Sequence, residues 1–376
     1  MKFADAPCRE TGQARPGLLI LGIAAGTLLA LLVLGAGASG CSWIALGYNS
    51  LRYPTTSSGE SANVVIGGTT AYGSLGEQGL EIVDLRRPER VRTVSPAAGS
   101  ESVDDLAVAD GLLFALDARK PGHLSVFSLS DPTMPVASSA AVAVDVGPFS
   151  GVSAGGGRVV VSGGTSRLSL RTYDRDGRLS PEVATIDLGR GQPDVLMAPD
   201  GRRAFVSTHF RGPHFGLTTL AIGSGSTALV GAGKVDLDTY GFTAGGARPA
   251  NFPIEAALAG NVLTVAHARG LAMISIQDMD RPRLLGVLDL GVKAVSVDVD
   301  GDMAAVVGSS PRPMLVLVDV SDPSAPVVKR PVPLPDGSYA TSVAVGPRHV
   351  VVAAHKRGLM IFQRQGWSLR PERTHR

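Results

Sequence analysis

From residue 61 onward, apolar and polar positions follow a four-part cycle. The first part is a short segment of small or alternating residues. Examples are Asp105-Leu106-Ala107-Val108, Asp194-Val195-Leu196-Met197, Glu255-Ala256-Ala257-Leu258, Ala294-Val295-Ser296-Val297 and Ser342-Val343-Ala344-Val345. A turn pair follows, as in Asp110-Gly111, Asp200-Gly201, Gly260-Asn261 and Asp300-Gly301. Such pairs reach the positive φ that tight hairpins need. The second part is continuously apolar, as in Leu112-Leu113-Phe114-Ala115, Val262-Leu263-Thr264-Val265 and Val350-Val351-Val352-Ala353. The third reads Leu80-Glu81-Ile82-Val83-Asp84, Leu271-Ala272-Met273-Ile274 or Leu315-Val316-Leu317-Val318-Asp319, and Asp-Pro often follows, as in Ser130-Asp131-Pro132 and Ser321-Asp322-Pro323. A weaker fourth segment closes the cycle, as in Val91-Arg92-Thr93-Val94.

Four short strands every 40 to 50 residues, with no helical period, predict an all-β fold, a β-propeller. One twisted four-stranded sheet cannot hide both faces. Sheets packed around an axis hide both, and the small residues of the first segment suit the crowded hub. Seven second strands and seven third strands predict seven blades, with six or eight as the alternatives. Only six first strands are evident. The unit beginning at Ser61 lacks one, and a strand from Trp367-Ser368-Leu369 or Ser50-Leu51-Arg52 is expected to complete the ring. A tandem pair of sandwiches is the structural rival, but it would not repeat its strand order so regularly.

Composition agrees. Hydrophobic residues make up 44% of the 376 and charged residues only 18%, enough for a large core. The 47 Gly and 25 Pro demand frequent turns and speak against a helical bundle. A formal net charge of +2 leaves no basic surplus for nucleic acid. The two Cys are Cys8 and Cys41, so the body has neither a disulfide scaffold nor a Cys-ligated zinc site.

The first forty residues read as an address. Lys2, Arg9 and Arg15 precede an uncharged run over residues 16–40 that includes Leu28-Leu29-Ala30-Leu31-Leu32-Val33-Leu34. This predicts an apolar helix serving as a secretory signal or a membrane anchor over residues 1–41, with the cationic end in the cytoplasm. The run ends in Ala38-Ser39-Gly40-Cys41, which resembles the lipobox of bacterial lipoproteins, although Ala38 stands where Leu is usual. The resemblance implies lipid attachment at Cys41. An uncleaved span and simple cleaved secretion are the alternatives. Residues 42–60 read as a polar tether, 61–369 as the propeller and 370–376 as a tail. The expected location is the bacterial cell envelope.

The repeats also resemble a known class. Gly79-Leu80-Glu81-Ile82-Val83-Asp84-Leu85 and Leu315-Val316-Leu317-Val318-Asp319-Val320-Ser321-Asp322-Pro323 look like the LVIVD repeat of exported bacterial propellers. Ala198-Pro199-Asp200-Gly201-Arg202-Arg203-Ala204-Phe205-Val206 looks like the related YVTN-type blade. The resemblance covers roughly residues 61–363 and implies an exported or surface protein. It does not imply an activity, since propellers host many.

One recurrence exceeds what folding requires. Three units end their second strand with His-x-Arg-Gly: His209 and Arg211, His267 and Arg269, His355 and Arg357. A local use comes first, in which His caps the turn and Arg pairs nearby, copied with the blade. The second use is a clamp for an anion or polymer at the rim of the channel. The third, least favoured because the blades are not all neighbours, is a metal site. The runs Asp298-Val299-Asp300-Gly301-Asp302 and Asp174-Arg175-Asp176-Gly177 fall where hairpin turns are due and lack the distal Glu of a calcium loop. No Gly-x-Ser-x-Gly, His-Glu-x-x-His or Cys-x-x-Cys-His motif is present.

The expectation is a non-enzymatic, membrane-tethered binding or scaffold module with no cofactor or metal. Its partner would be an envelope protein, glycan or polymer. The alternative is a lactonase-like hydrolase with its site at the channel mouth; the absence of carboxylates clustered on a single loop speaks against it.

Overall fold

The computed structural model describes residues 63–371 except 120, 147–149, 164–166, 188–191, 210–214, 223–228, 237–254, 268, 269, 309–311, 336, 337 and 356. The expected apolar helix, the tether and Cys41 lie outside the described residues. Among those described, no helix is long and apolar enough to cross a membrane.

Seven antiparallel sheets follow one another along the chain, each made of consecutive strands. The chain is a seven-blade all-β propeller. The innermost strands are Val64–Gly67, Asp105–Ala109, Val152–Gly155, Gln192–Met197, Ala256–Ala259, Ala294–Asp300 and Ser342–Val345. Among the described residues, blade 2 alone splits its outermost strand: Val136–Ala137 and Val142–Val144 both pair with Gly122–Ser128.

The continuous apolar pattern of the second and third strands follows from burial on both faces. In blade 2, Leu113 and Ala115 pack towards blade 1 with Tyr72, Leu80 and Ile82. Leu112, Phe114 and Leu116 pack towards blade 3 with Val152, Val159 and Val161. Neighbouring blades share such clusters all round the ring, including the closure, where Val64, Ala71 and Val83 of blade 1 meet Ala344, Val351 and Leu359 of blade 7.

Ring closure differs from the sequence expectation. Val64–Gly67 is itself the innermost strand of blade 1, and Ser368–Pro371 is the outermost of blade 7, so among the described residues no blade mixes the two ends. The reason is the hairpin at Gly68, whose φ is +62°. It turns the chain into a second strand, Thr70–Ser74, that is fully buried although its sequence, Thr-Ala-Tyr-Gly-Ser, is scarcely apolar.

Two sets of contacts tie blade to blade. At the hub, edge strands leave N–H groups without a ladder partner, and side chains of the preceding blade accept from them. Asp105 Oδ2 accepts from Val152 N (2.7 Å), Ser153 Oγ from Met197 N (2.8 Å), Ser296 Oγ from Val343 N (3.0 Å), Asp298 Oδ2 from Val345 N (2.7 Å) and Ser342 Oγ from Val64 N (3.4 Å). Further out, the turns after the third strands of blades 2, 5, 6 and 7 reach back onto the preceding blade. The Asp131 turn of blade 2 receives Tyr72 Oη of blade 1 at Pro132 O (2.8 Å). The turn of blade 5 receives Thr219 Oγ1 of blade 4 at Met279 O (2.7 Å). The turn of blade 6 passes so near Gly286 of blade 5 that a Cβ there would meet Pro323 O at 2.6 Å. Trp367 of blade 7 lies under Lys329 of blade 6, 5.6 Å from Nζ to the ring. The recurring Asp-Pro is therefore a latch: Asp131 and Asp322 fold their turns by accepting from the N–H and hydroxyl two residues on.

Candidate functional site

The hub encloses a cavity of about 610 Å³ lined by residues from all seven innermost strands or the links leading into them. Strand direction puts the links that enter each blade, and the turns from second to third strands, on one face, called here the link face. The cavity begins there, at Asn63, Asp104, Asp105, Ser150, Glu255 and Thr341, and extends past Val108, Ala154, Leu196 and Phe205 to Pro199. Its collar is polar and acidic, and its deeper wall is mostly apolar.

The collar has a register. Asp105 pairs with Leu116 and Ser342 with Ala353, and Ser296 aligns with Val307. Ser74 N donates to Asn63 O, Ser162 N to Gly151 O and Ala266 N to Glu255 O. Asn63, Asp105, Gly151, Glu255, Ser296 and Ser342 thus hold equivalent places in six blades; in blade 4 the place falls to Asp194. Apart from Gly151, every one is polar. Asn63 Nδ2 donates to Asp105 Oδ1, and Asp104 accepts from Ser102 Oγ (2.8 Å) and Ala118 N (2.8 Å).

Two of the cavity carboxyls bind protons tightly. Burial raises Asp105 to about 6; the N–H groups of Val152 and Leu106 oppose the rise, and Asp104 adds to it. Burial likewise raises Asp298 to about 6, opposed by the N–H groups of Val345 and Val299 and reinforced by Asp300. Asp298 corrects the sequence reading. It does not lie in a hairpin turn but inside the innermost strand Ala294–Asp300, with the turn at Gly301 and Asp302. Asp174 does cap a turn, accepting from Asp176 N and Arg178 N at 2.9 Å each.

Of the His-x-Arg-Gly motifs, His267, His355 and Arg357 are described, and they stand on the link face. His267 ends the strand Val262–His267 and is 4% exposed, so its imidazole is packed into the wall. His355 has φ +50°, is partly buried, and meets the exposed Tyr339 edge-on at 6.2 Å. Arg357 is partly buried beside it. His209 ends the strand Arg203–His209; its side chain, Arg211 and Arg269 lie outside the described residues. The glycine of the motif has a structural cause. Gly270 has φ +155°, and a Cβ there would meet Leu288 O of the outermost strand at 2.0 Å; Gly79 stands in the same relation to Val94 O at 2.1 Å. Among the described residues, no group of three or more His, Cys, Asp or Glu is placed to hold a metal ion.

Sequence reasoning missed Asp104, Asp105, Glu255 and Asp298 as a group. No loop holds more than two of them, yet the fold brings all four to one cavity. A polar residue at a fixed distance before six of the seven hairpins was the signal that could have found Asp105 and Glu255; Asp104 and Asp298 stand off that register.

No protein-family model matches the sequence, and no curated protein is similar to it. Solved structures are similar in fold alone. A candidate 6-phosphogluconolactonase from Bacteroides fragilis is 12% identical with a TM-score of 0.61, covering 85% of this chain and 96% of its own. One from Bacteroides uniformis is 11% identical with a TM-score of 0.62, covering 83% and 94%. A chain of the mitotic checkpoint complex is 10% identical with a TM-score of 0.62, covering 88% and 99%. What these relationships establish is the propeller architecture.

Proposed function

We propose that the chain is an exported, membrane-tethered binding module whose link face holds the ligand. The observation that carries the reading is the hub cavity, with its acidic collar and apolar lower wall. A cavity of several hundred Å³ with a few convergent polar groups suits a small ligand or one unit of a polymer. Asp104, Asp105 and Glu255 at the collar repel anions, so the group that enters is neutral or cationic: a sugar or amino sugar of an envelope glycan, or a basic side chain of a protein. His267, His355 and Arg357 stand on that face, and we assign the ligand's rim contacts to them and to their sequence equivalents His209, Arg211 and Arg269. Calorimetric titration of the purified protein with glucosamine, spermidine and gluconate tests this. The cation or amino sugar should bind, weaken in Glu255→Gln, and leave gluconate without measurable heat. Equal binding of gluconate would sink the idea.

The tether is supported by the sequence pattern alone. Cys41→Ala should release or mislocalise the protein if Cys41 is lipidated, and should change little if the apolar run is an uncleaved span.

A second reading, a lactone hydrolase, draws on Asp105. A carboxyl whose proton affinity sits near neutrality can act as a base towards water. Two structures of like fold are described as candidate 6-phosphogluconolactonases, but a phosphate would meet the acidic collar. An unphosphorylated sugar lactone is the substrate to try, and turnover that is lost in Asp105→Asn would favour this reading over simple binding.

A further inference from the structure

Asp105 and Asp298 differ in register, Asp298 lying nearer its hairpin, but share one arrangement. Each projects from an innermost strand into the junction with the next blade, and each accepts an N–H of that blade's innermost strand, Val152 or Val345, at 2.7 Å. Both also line the hub cavity. Neither has an ion-pair partner among the described residues. Asp105 is faced by the neutral Asn63 amide and by its acidic neighbour Asp104, which is itself bonded to Ser102 and Ala118. The blade 3 innermost strand, Val152–Gly155, carries no ionisable side chain. The second strand of blade 2 contributes Asp117, whose carboxylate is spent on Glu101 N, Ser102 N and Arg119. Asp298 has Asp300 two residues on, and Arg364 is committed to Asp300. On its other sides, the blade 7 innermost strand, Ser342–Val345, carries no ionisable group. Blade 5 contributes Glu255, also on the cavity, and His267.

A part-buried carboxylate without a counter-ion and with a like charge nearby favours its neutral form. We propose that Asp105 and Asp298 are proton-sensitive pins of the wheel. Passing from neutral to mildly acidic medium, each takes up one proton, which strengthens the fold at junctions 2–3 and 6–7 and removes two negative charges from the hub cavity.

The sign follows from linkage. Both carboxyls are raised from 3.8 to about 6 in the fold, so between those values the folded chain binds more protons than the unfolded one. Stability therefore falls as pH rises through this window. The lowered carboxyls, among them Asp84, Asp131, Asp319 and Asp322, act in the opposite direction and at lower pH. The two windows do not overlap.

Thermal unfolding of the full chain at about pH 5 and about pH 8 tests the proposal. The two pins together should raise the midpoint by about 4 °C at the acidic value. Asp105→Asn/Asp298→Asn should flatten that difference, and each single variant should remove about half. An unchanged pH dependence in the double variant overturns the idea. If the double variant does not fold, carboxyl NMR of the wild-type chain decides: two Asp resonances titrating near pH 6 support the pins, and all Asp titrating below about pH 5 overturns them. Neither readout involves a ligand, so this proposal can fail while the binding reading stands, and the reverse.

Discussion

Replacing Ser296 by Ala isolates one hub stitch. The Ser296 side chain is fully buried, and its Oγ accepts from Val343 N across the junction of blades 6 and 7 at 3.0 Å. Val343 lies on an edge strand, and this N–H points away from its own sheet, so Ala leaves a buried donor without an acceptor. Such an orphan costs about 1–3 kcal/mol. At about 2 kcal/mol, and with unfolding entropy near 2.1 cal/mol/K per residue over roughly 300 folded residues, the melting midpoint should drop by about 3 °C. Ser125→Ala is the control. Ser125 is also buried, at 2% exposure, but its Oγ has no hydrogen-bond partner among the described residues. Removing that hydroxyl relieves a desolvation cost, so this variant should melt at or above the wild type. Ser342→Ala, whose bond to Val64 N is longer at 3.4 Å, should fall between them. Differential scanning calorimetry at neutral pH reads all three. Equal losses for Ser296→Ala and Ser125→Ala would refute the reasoning, because they would mean that buried volume and not the stitch sets the cost.

Thr219→Val removes the hydroxyl that accepts from Gly233 N and donates to Met279 O, each at 2.7 Å, while keeping the side-chain shape. Urea unfolding should show a loss of about 2 kcal/mol, and a wild-type midpoint would show that the latch between blades 4 and 5 is idle. Gly270→Ala forces a Cβ to within 2.0 Å of Leu288 O at φ +155° and should cost more than about 1 kcal/mol. Near-normal melting of that variant would mean that the outermost strand yields freely.

The architecture was legible in the sequence because every blade repeats the same burial problem. Val262-Leu263-Thr264-Val265 and Val350-Val351-Val352-Ala353 advertise strands covered on both faces. Thr70–Ser74 was not legible, because a buried strand of Thr, Ala, Tyr, Gly and Ser carries almost no apolar signal; missing it led to the search for a strand from the chain ends. The collar was hidden for a different reason. Glu255 and Asp298 look like turn or solvent residues when read locally, and only the register of each innermost strand against its hairpin brings them to the hub. The His-x-Arg-Gly repeat was visible at once, yet the part of it with a clear structural cause is the glycine.

Since every sheet is built from four successive strands, the described chain starts at the axle and ends on the tread. Three strand spacings separate those positions, about 14 Å. A circular permutant opened between any two blades would keep all seven sheets whole, provided that a linker of at least about five residues spanned that radius.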